Sequence, residues 1–354
     1  MNLAAVSQIA KAVLYEGYML YPYRPSSVKN RRRWNFGVLC PRSYSEDQGG
    51  TEAWMMRTEC LLEGTALTTV EVRVRFLQLV ERSIGKLDNS ASDSSPAVPP
   101  RFSSVPRLEV AGRIYQPWQE AVEREVILPL CHVEALAQAP LLQPFCYSAE
   151  KQLEHLGDEA GRVVGVIIRR KSELNGVVEV ASENLHNGFF KITVSIRNVT
   201  PFTIAENVNR EDALLSSLVS THTVLGVEDG RFCSLSSSPD HLCADAARCQ
   251  NLGTWPVLVG VDGDFNTMLS SPIILPDYPQ IAPESTGDLF DGTEIDEILM
   301  LRIMTLTDDE KREMRQSDEH ARRMLERTEA LPEEQFMKLH GVLRNLRPLE
   351  GDFR

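Results

Sequence analysis

Long apolar runs are missing from this 354-residue chain: nowhere do about eighteen apolar residues follow one another, the length a membrane-crossing helix needs. The opening stretch, MNLAAVSQIAKAVLYEGYML, is interrupted by Lys11 and Glu16 and lacks the continuous apolar core and small-residue cleavage site of a signal peptide. The sequence therefore predicts a cytoplasmic protein without a membrane span. Positive charge is scarce as well. A total of 37 Lys and Arg against 50 Asp and Glu leaves a net charge of −13, which argues against a nucleic-acid-binding surface, because neutralising phosphates takes clustered, uncompensated cations. The seven cysteines (Cys40, Cys60, Cys131, Cys146, Cys233, Cys243, Cys249) are odd in number and scattered, so they predict reduced thiols rather than a disulfide framework. The phosphate-binding Walker loop, the dinucleotide glycine fingerprint, Gly-x-Ser-x-Gly and His-Glu-x-x-His are also absent, and no cofactor is assigned.

What is present is a composition of 42% hydrophobic and 25% charged residues, that of a folded globular protein long enough for one large domain or two ordinary ones. A short helix is predicted over Leu3 to Ala12. The segment Val70 to Val80 alternates Val70, Val72, Val74 and Phe76 with Glu71, Arg73 and Arg75, the period-two pattern of a strand with one wet face. Glu63-Gly64 reads as a turn joining it to an arm at Thr58 to Leu62. Asp88 to Ser104 (DNSASDSSPAVPPRFSS) is a Ser/Pro-rich flexible insertion. Trp118 to Leu128, bracketed by Pro117 and Pro129, reads as a helix. Strands are expected at Val163 to Arg169, Gly176 to Ala181, Phe189 to Asn198, Leu214 to Leu225 and Arg231 to Leu235, with Glu228-Asp229-Gly230 as a hairpin signal between the last two. A second hairpin is expected from Trp255 to Leu275.

Strands at this spacing predict an antiparallel β-sandwich, so the fold class is α+β, mainly β. Residues 1–280 would form one discontinuous β domain. Residues 281–354 would form an acidic hinge and a helical appendage, in which Thr307-Asp308-Asp309-Glu310 has the Thr-x-x-Glu form of a capping box.

Three constellations are candidates for function. Arg31, Arg32 and Arg33 beside Trp34 form a basic segment in an acidic chain, best read as pairing with acidic groups here or on a partner. The acids Asp288, Asp291, Glu294, Asp296 and Glu297, with Glu284, converge on a helix start. Oxygen ligands so placed would suit a hard cation, but acids in a first turn also cap free N–H groups and complement the helix dipole; this second reading is preferred, with the surplus acids forming a charged face to dock a basic partner. Cys233, His241, Cys243 and Cys249 have the ligand chemistry of zinc without the tight paired spacing of a structural site, so buried or partly exposed thiols beside a helix at roughly Pro239 to Cys249 are the simpler reading. Cys131-His132 lacks an orienting acid for nucleophilic catalysis. Asp262-Gly-Asp264-Phe-Asn266 starts like a calcium loop but has Thr267 at the sixth position and Ile273 at the twelfth, and reads as a turn.

Four segments together carry a resemblance: AVLYEGYMLYPYRPSSVKNRRRWNFG (12–37), MRTECLLEG with VEVRVRFLQLV (56–64 and 70–80), GTWPVLVG (253–260) and LSSPIILPDYPQIAPESTGDLFDGTEIDEILMLRIMTLTDDEK (269–311). They resemble a family of accessory proteins encoded beside actinobacterial-type nickel–iron hydrogenases, and the likeness spans most of the chain outside the Ser/Pro insertion and the C-terminal tail. The resemblance implies a non-catalytic protein that assists hydrogenase maturation, assembly or integration through contacts with hydrogenase subunits. It supplies no catalytic residues. The paired Cys-x-x-Cys ligands of a hydrogenase large subunit are absent, so the chain is read neither as the catalytic subunit nor as a cluster-bearing small subunit. The alternative is a metal-dependent enzyme using the acids of 284–297 or the Cys/His group of 233–249.

Overall fold

The computed structural model describes residues 35–88, 101–186, 188–205, 208–280 and 306–317, with single helical positions at 6, 9, 10, 14, 303 and between 322 and 330. Helix α1 (Arg42–Asp47) leads into β1 (Met55–Leu87), which is followed by β2 (Phe102–Ser104), the ribbon strands β3 (Leu108–Val110) and β4 (Arg113–Tyr115), and β5 (Trp118–Ile127). Next come β6 (Cys131–His132), α2 (Val133–Gln138), β7 (Leu141–Tyr147), β8 (Glu150–Gly157), β9 (Val163–Lys171), β10 (Leu174–Asn184) and β11 (Phe189–Asn198). After α3 (Arg210–Leu214) the chain forms β12 (Val219–Cys233), α4 (Cys243–Arg248), β13 (Trp255–Leu258), β14 (Thr267–Ser271) and α5 (Asp308–Ser317).

The mainly antiparallel β architecture is as expected. Twelve strands form one sheet, and β3–β4 form a separate ribbon. The two packed layers of a sandwich are here parts of a single sheet, because both are built on β1. That strand has 33 residues and would reach about 110 Å if straight, too long for one domain, so it bends. One edge of β1 pairs with β12 over Leu61–Leu77 and then with β9 over Val80–Lys86. Its other edge carries β11, β6, β5 and β2 in turn.

Two turn signals proved to be bulges. Glu63-Gly64 does not close a hairpin and Glu228-Asp229-Gly230 does not separate two strands, because the two sites face each other: Gly64 pairs with Gly230, and the register shifts between Gly64 and Thr69. A Cβ on Gly64 would lie 2.4 Å from Thr68 Oγ1. Thr68 Oγ1 accepts from Thr65 N at 2.7 Å and donates to the Asp229 carbonyl at 2.5 Å, and Asp229 takes a left-handed φ of 54°. Each strand supplies the slack that the other needs, so both run on.

The helix expected at Trp118 to Leu128 is also corrected. Trp118–Ile127 pairs residue for residue with Arg82–Arg73 of β1, since an unpaired edge of a central strand outweighs weak helical spacing between two prolines.

The strands β7–β8 and β9–β10 form one long hairpin. Tyr147 pairs with Leu174 and Glu150 with Lys171, so the register does not slip across the break in either arm. Asp158 closes its turn, accepting from the amides of Ala160 and Arg162 at 3.0 and 2.9 Å. One arm thus holds both ends of β1: β10 reaches its start through β11, and β9 pairs directly with its end. The sheet therefore coils. Tyr147 Oη, donating to the Glu125 carbonyl at 3.0 Å, ties β7 to β5 and nearly closes the coil into a barrel. Its core gathers Val72, Val74 and Phe76 from β1, Ile192, Val194 and Ile196 from β11, and Val133 and Leu136 from α2, all buried. Burying a side chain such as Phe76 contributes about 2–3 kcal/mol.

The outer faces are covered by small satellites. Val6, Ile9 and Ala10, at helical spacing, pack on Val224, Val257 and Leu269. Leu14 joins Tyr44 and Leu214 against Leu77, Leu79 and Val219. The expected hairpin at 255–275 is present as β13–β14. The capping box forms too: Glu310 N donates to Thr307 Oγ1 at 3.3 Å and Thr307 N donates to Glu310 Oε2 at 2.8 Å. Helix α5 lies against β4, with Met314 buried.

Candidate functional site

Cys233 ends β12 opposite Leu61. The next segment makes a short helix at Asp240–Leu242 that runs into α4, as the spacing predicts, and this lays Leu242, Ala246 and Cys249 over Leu61 and Phe189. His241 meets the Phe189 ring at 5.7 Å between centroids, and His186 meets it at 6.1 Å. The sulfurs turn to local carbonyls: Cys243 Sγ to Ser238 and Pro239 at 3.6 and 3.5 Å, and Cys249 Sγ to Asp245 at 3.6 Å. Among the described residues no three His, Cys, Asp or Glu side chains converge on a point that would hold a metal ion. Burial pushes the Cys249 thiol up to about 11 and raises Cys233 and the enclosed Cys60. At neutral pH these groups are protonated, the form that neither attacks nor ligates. What the arrangement does is pack a satellite core under a short helix.

Arg31, Arg32, Arg33 and Trp34, and the acids Asp288, Asp291, Glu294, Asp296 and Glu297, lie outside the described residues, as does much of the Ser/Pro insertion. Cys131 and His132 pair with Val70 and Thr69 in β6, where consecutive side chains point to opposite faces of the sheet, so one does not serve the other as base. Cys131 Sγ turns to the Pro129 carbonyl at 3.3 Å. Asp264 sits in the β13–β14 turn, its carboxylate accepting from Val261 N at 3.2 Å.

Two surface features escape a sequence reading because they depend on strand register. The first is a lattice of ion pairs across β5, β1, β9 and β8. Glu120 bridges Arg82 at 3.4 Å and Arg169 at 2.8 Å, Arg169 reaches Glu154 at 2.7 Å, Arg75 meets Glu123 at 3.3 Å, and Arg170 meets Glu81 at 3.6 Å. Each exposed pair stabilises by no more than about 1 kcal/mol, and together they link β5, β1, β9 and β8 across one face.

The second is apolar. Leu67 is 70% exposed, and Ile127 and Leu130 are each 54% exposed. Ile127 pairs with Arg73, Cys131 beside Leu130 pairs with Val70, and Leu67 sits in the bulge just before Thr69. The three lie along one stretch of β1 about 20 Å long. They are large aliphatics left in solvent beside the Glu71–Arg73 ion pair. No helix among the described residues is long and apolar enough to cross a membrane.

No protein-family model matches the chain, and no curated protein matches it.

Proposed function

We propose that this protein is a non-catalytic docking component that holds protein partners on a rigid coiled sheet, and that its partners are subunits of a nickel–iron hydrogenase undergoing assembly. The observation that carries the docking reading is the exposed aliphatic stretch Leu67, Ile127 and Leu130 on a backbone fixed by β1, β5 and β6. Preorganised apolar surface contributes to binding because little entropy is lost when it is covered. The identity of the partner rests on the sequence resemblance. A cytoplasmic site of action, with no nucleic acid involved, belongs to the same proposal and draws on the charge balance.

The test uses purified hydrogenase large and small subunits passed over the immobilised full chain. Retention of one subunit by the native protein, and its loss with Ile127→Glu and Leu130→Glu combined, is the expected outcome. Equal retention by the variant, or none by the native chain, contradicts it.

A further inference from the structure

We propose a second contact site on this molecule, a groove that takes an acidic peptide segment of a partner protein. It rests on the docking reading only in assigning the ligand to a partner. The groove has a volume of about 590 Å³, within the range of ligand-binding pockets. It lies between the end of β1, the β3–β4 ribbon and the turn before β9. Its apolar lining is Val105, Leu108, Val110 and Val164, and Lys86 and Arg107 stand in its walls.

The fold builds this groove deliberately close. A Cβ on Gly165 would lie 2.3 Å from Leu108 Cδ2 and 2.9 Å from the Gly85 carbonyl, so only glycine lets the ribbon seat on β9. The ribbon turns at Ala111 and Gly112, with left-handed φ values of 49° and 72°.

Most cations on the neighbouring strands have carboxylate partners, although among the described residues Lys151 of β8 and Arg124 of β5 do not. Arg75, Arg82, Arg169, Arg170 and Lys171 all meet carboxylates on neighbouring strands. Among the described residues Lys86 and Arg107 meet none, and both are exposed. Of the two carboxylates in the walls, Asp158 is occupied by Arg162 at 2.8 Å, whose backbone N–H and guanidinium hold it below the usual carboxylate range. Among the described residues in its walls, Glu109 alone is left to oppose two cations. In a chain of net charge −13, a wall with unspent positive charge selects carboxylates by complementarity. The apolar floor between the cations selects an aliphatic neighbour. An extended peptide of alternating acidic and aliphatic residues meets both demands, since its side chains point alternately to opposite sides, and arginine grips a carboxylate through two parallel hydrogen bonds.

The test is fluorescence anisotropy of the full chain with a short fluorescein-labelled peptide of alternating glutamate and leucine, beside a lysine–leucine control. The expected result is saturable binding of the acidic peptide only. Binding weakens as salt rises from about 50 to about 200 mM, and it falls about ten-fold or more in Lys86→Glu combined with Arg107→Glu. Both positions are exposed, so an unchanged unfolding midpoint shows that the fold is intact. Equal binding by the variant, or none by the native chain, overturns the proposal. Binding that emerges only after Asp288, Asp291 and Glu294 are changed to their amides also overturns it, by making the chain's own acidic run the occupant. Because the peptide is titrated directly, failure here is separable from failure to retain hydrogenase subunits.

Discussion

His222 shows how one buried side chain ties stability to pH. It is wholly enclosed in β12, its Nδ1 lies 3.0 Å from the Ser220 carbonyl, and its Nε2 has no partner among the described residues. Burial lowers its pKa from 6.5 to about 4. The folded protein therefore refuses a proton that the unfolded chain accepts. The contribution of neutral His222 is fully present above pH 6.5 and is lost as pH falls toward 4, a loss of about 3 kcal/mol. Chemical denaturation across this window is expected to show that loss in the native protein and a correspondingly smaller one in His222→Gln. Parallel pH profiles would contradict the assignment. Asn198 makes the other strong single-residue case. Its amide donates to the carbonyls of Leu39 and Ser216 at 2.8 and 2.9 Å, and its oxygen accepts from Thr200 N at 2.9 Å, all within the core. Asn198→Ala strands the Ser216 carbonyl and the Thr200 N–H, while the Leu39 carbonyl keeps the Leu218 N–H, and should lower stability by about 2–3 kcal/mol in urea unfolding. A loss below about 0.5 kcal/mol would show that water replaces the side chain. Neither role is visible in the sequence, where His222 and Asn198 are merely polar residues within or ending a strand.

Secondary elements were legible where one strand's own pattern decides the outcome. Phe189–Asn198 shows this: its alternation of Ile192, Val194 and Ile196 with Lys191, Thr193 and Ser195 matches an element with one face in the core. Legibility failed where a neighbour decides. Gly64 and Gly230 each look like a turn alone, and only their pairing makes them a matched bulge. Thr68 pins that bulge, so Thr68→Val should cost about 2 kcal/mol through two lost hydrogen bonds, measured by thermal unfolding. A neutral result would remove Thr68 from the account. The seat of the β3–β4 ribbon is testable in the same way. Gly165→Ala drives a methyl into Leu108 and should destabilise by about 2 kcal/mol, and combining it with Leu108→Ala, itself a core truncation, should cost less than the sum of the two single changes. Simple additivity would mean that the ribbon does not rest on Gly165.

For the whole molecule, composition predicted a globular chain and strand spacing a β-rich one, but neither gave the path of its sheet, which turns on β1 serving both layers and on one long hairpin holding both its ends. The candidate sites divide similarly. The Cys/His group was legible as packing because its spacing is loose, and the structure gives Cys233 and Cys249 that setting. The aliphatic stretch was not legible, since Leu67 and Leu130 are far apart in sequence and come to the same part of β1 only through the registers of β5 and β6. That stretch carries the central claim, that this coiled sheet is a docking scaffold for hydrogenase subunits. The most direct measurement is the affinity of a purified hydrogenase subunit for the full chain by calorimetry, repeated with Ile127→Glu and Leu130→Glu combined. The expected result is binding by the native protein and at least about a ten-fold loss in the variant. Native and variant chains that bind alike, or a native chain that binds neither subunit, would contradict the claim.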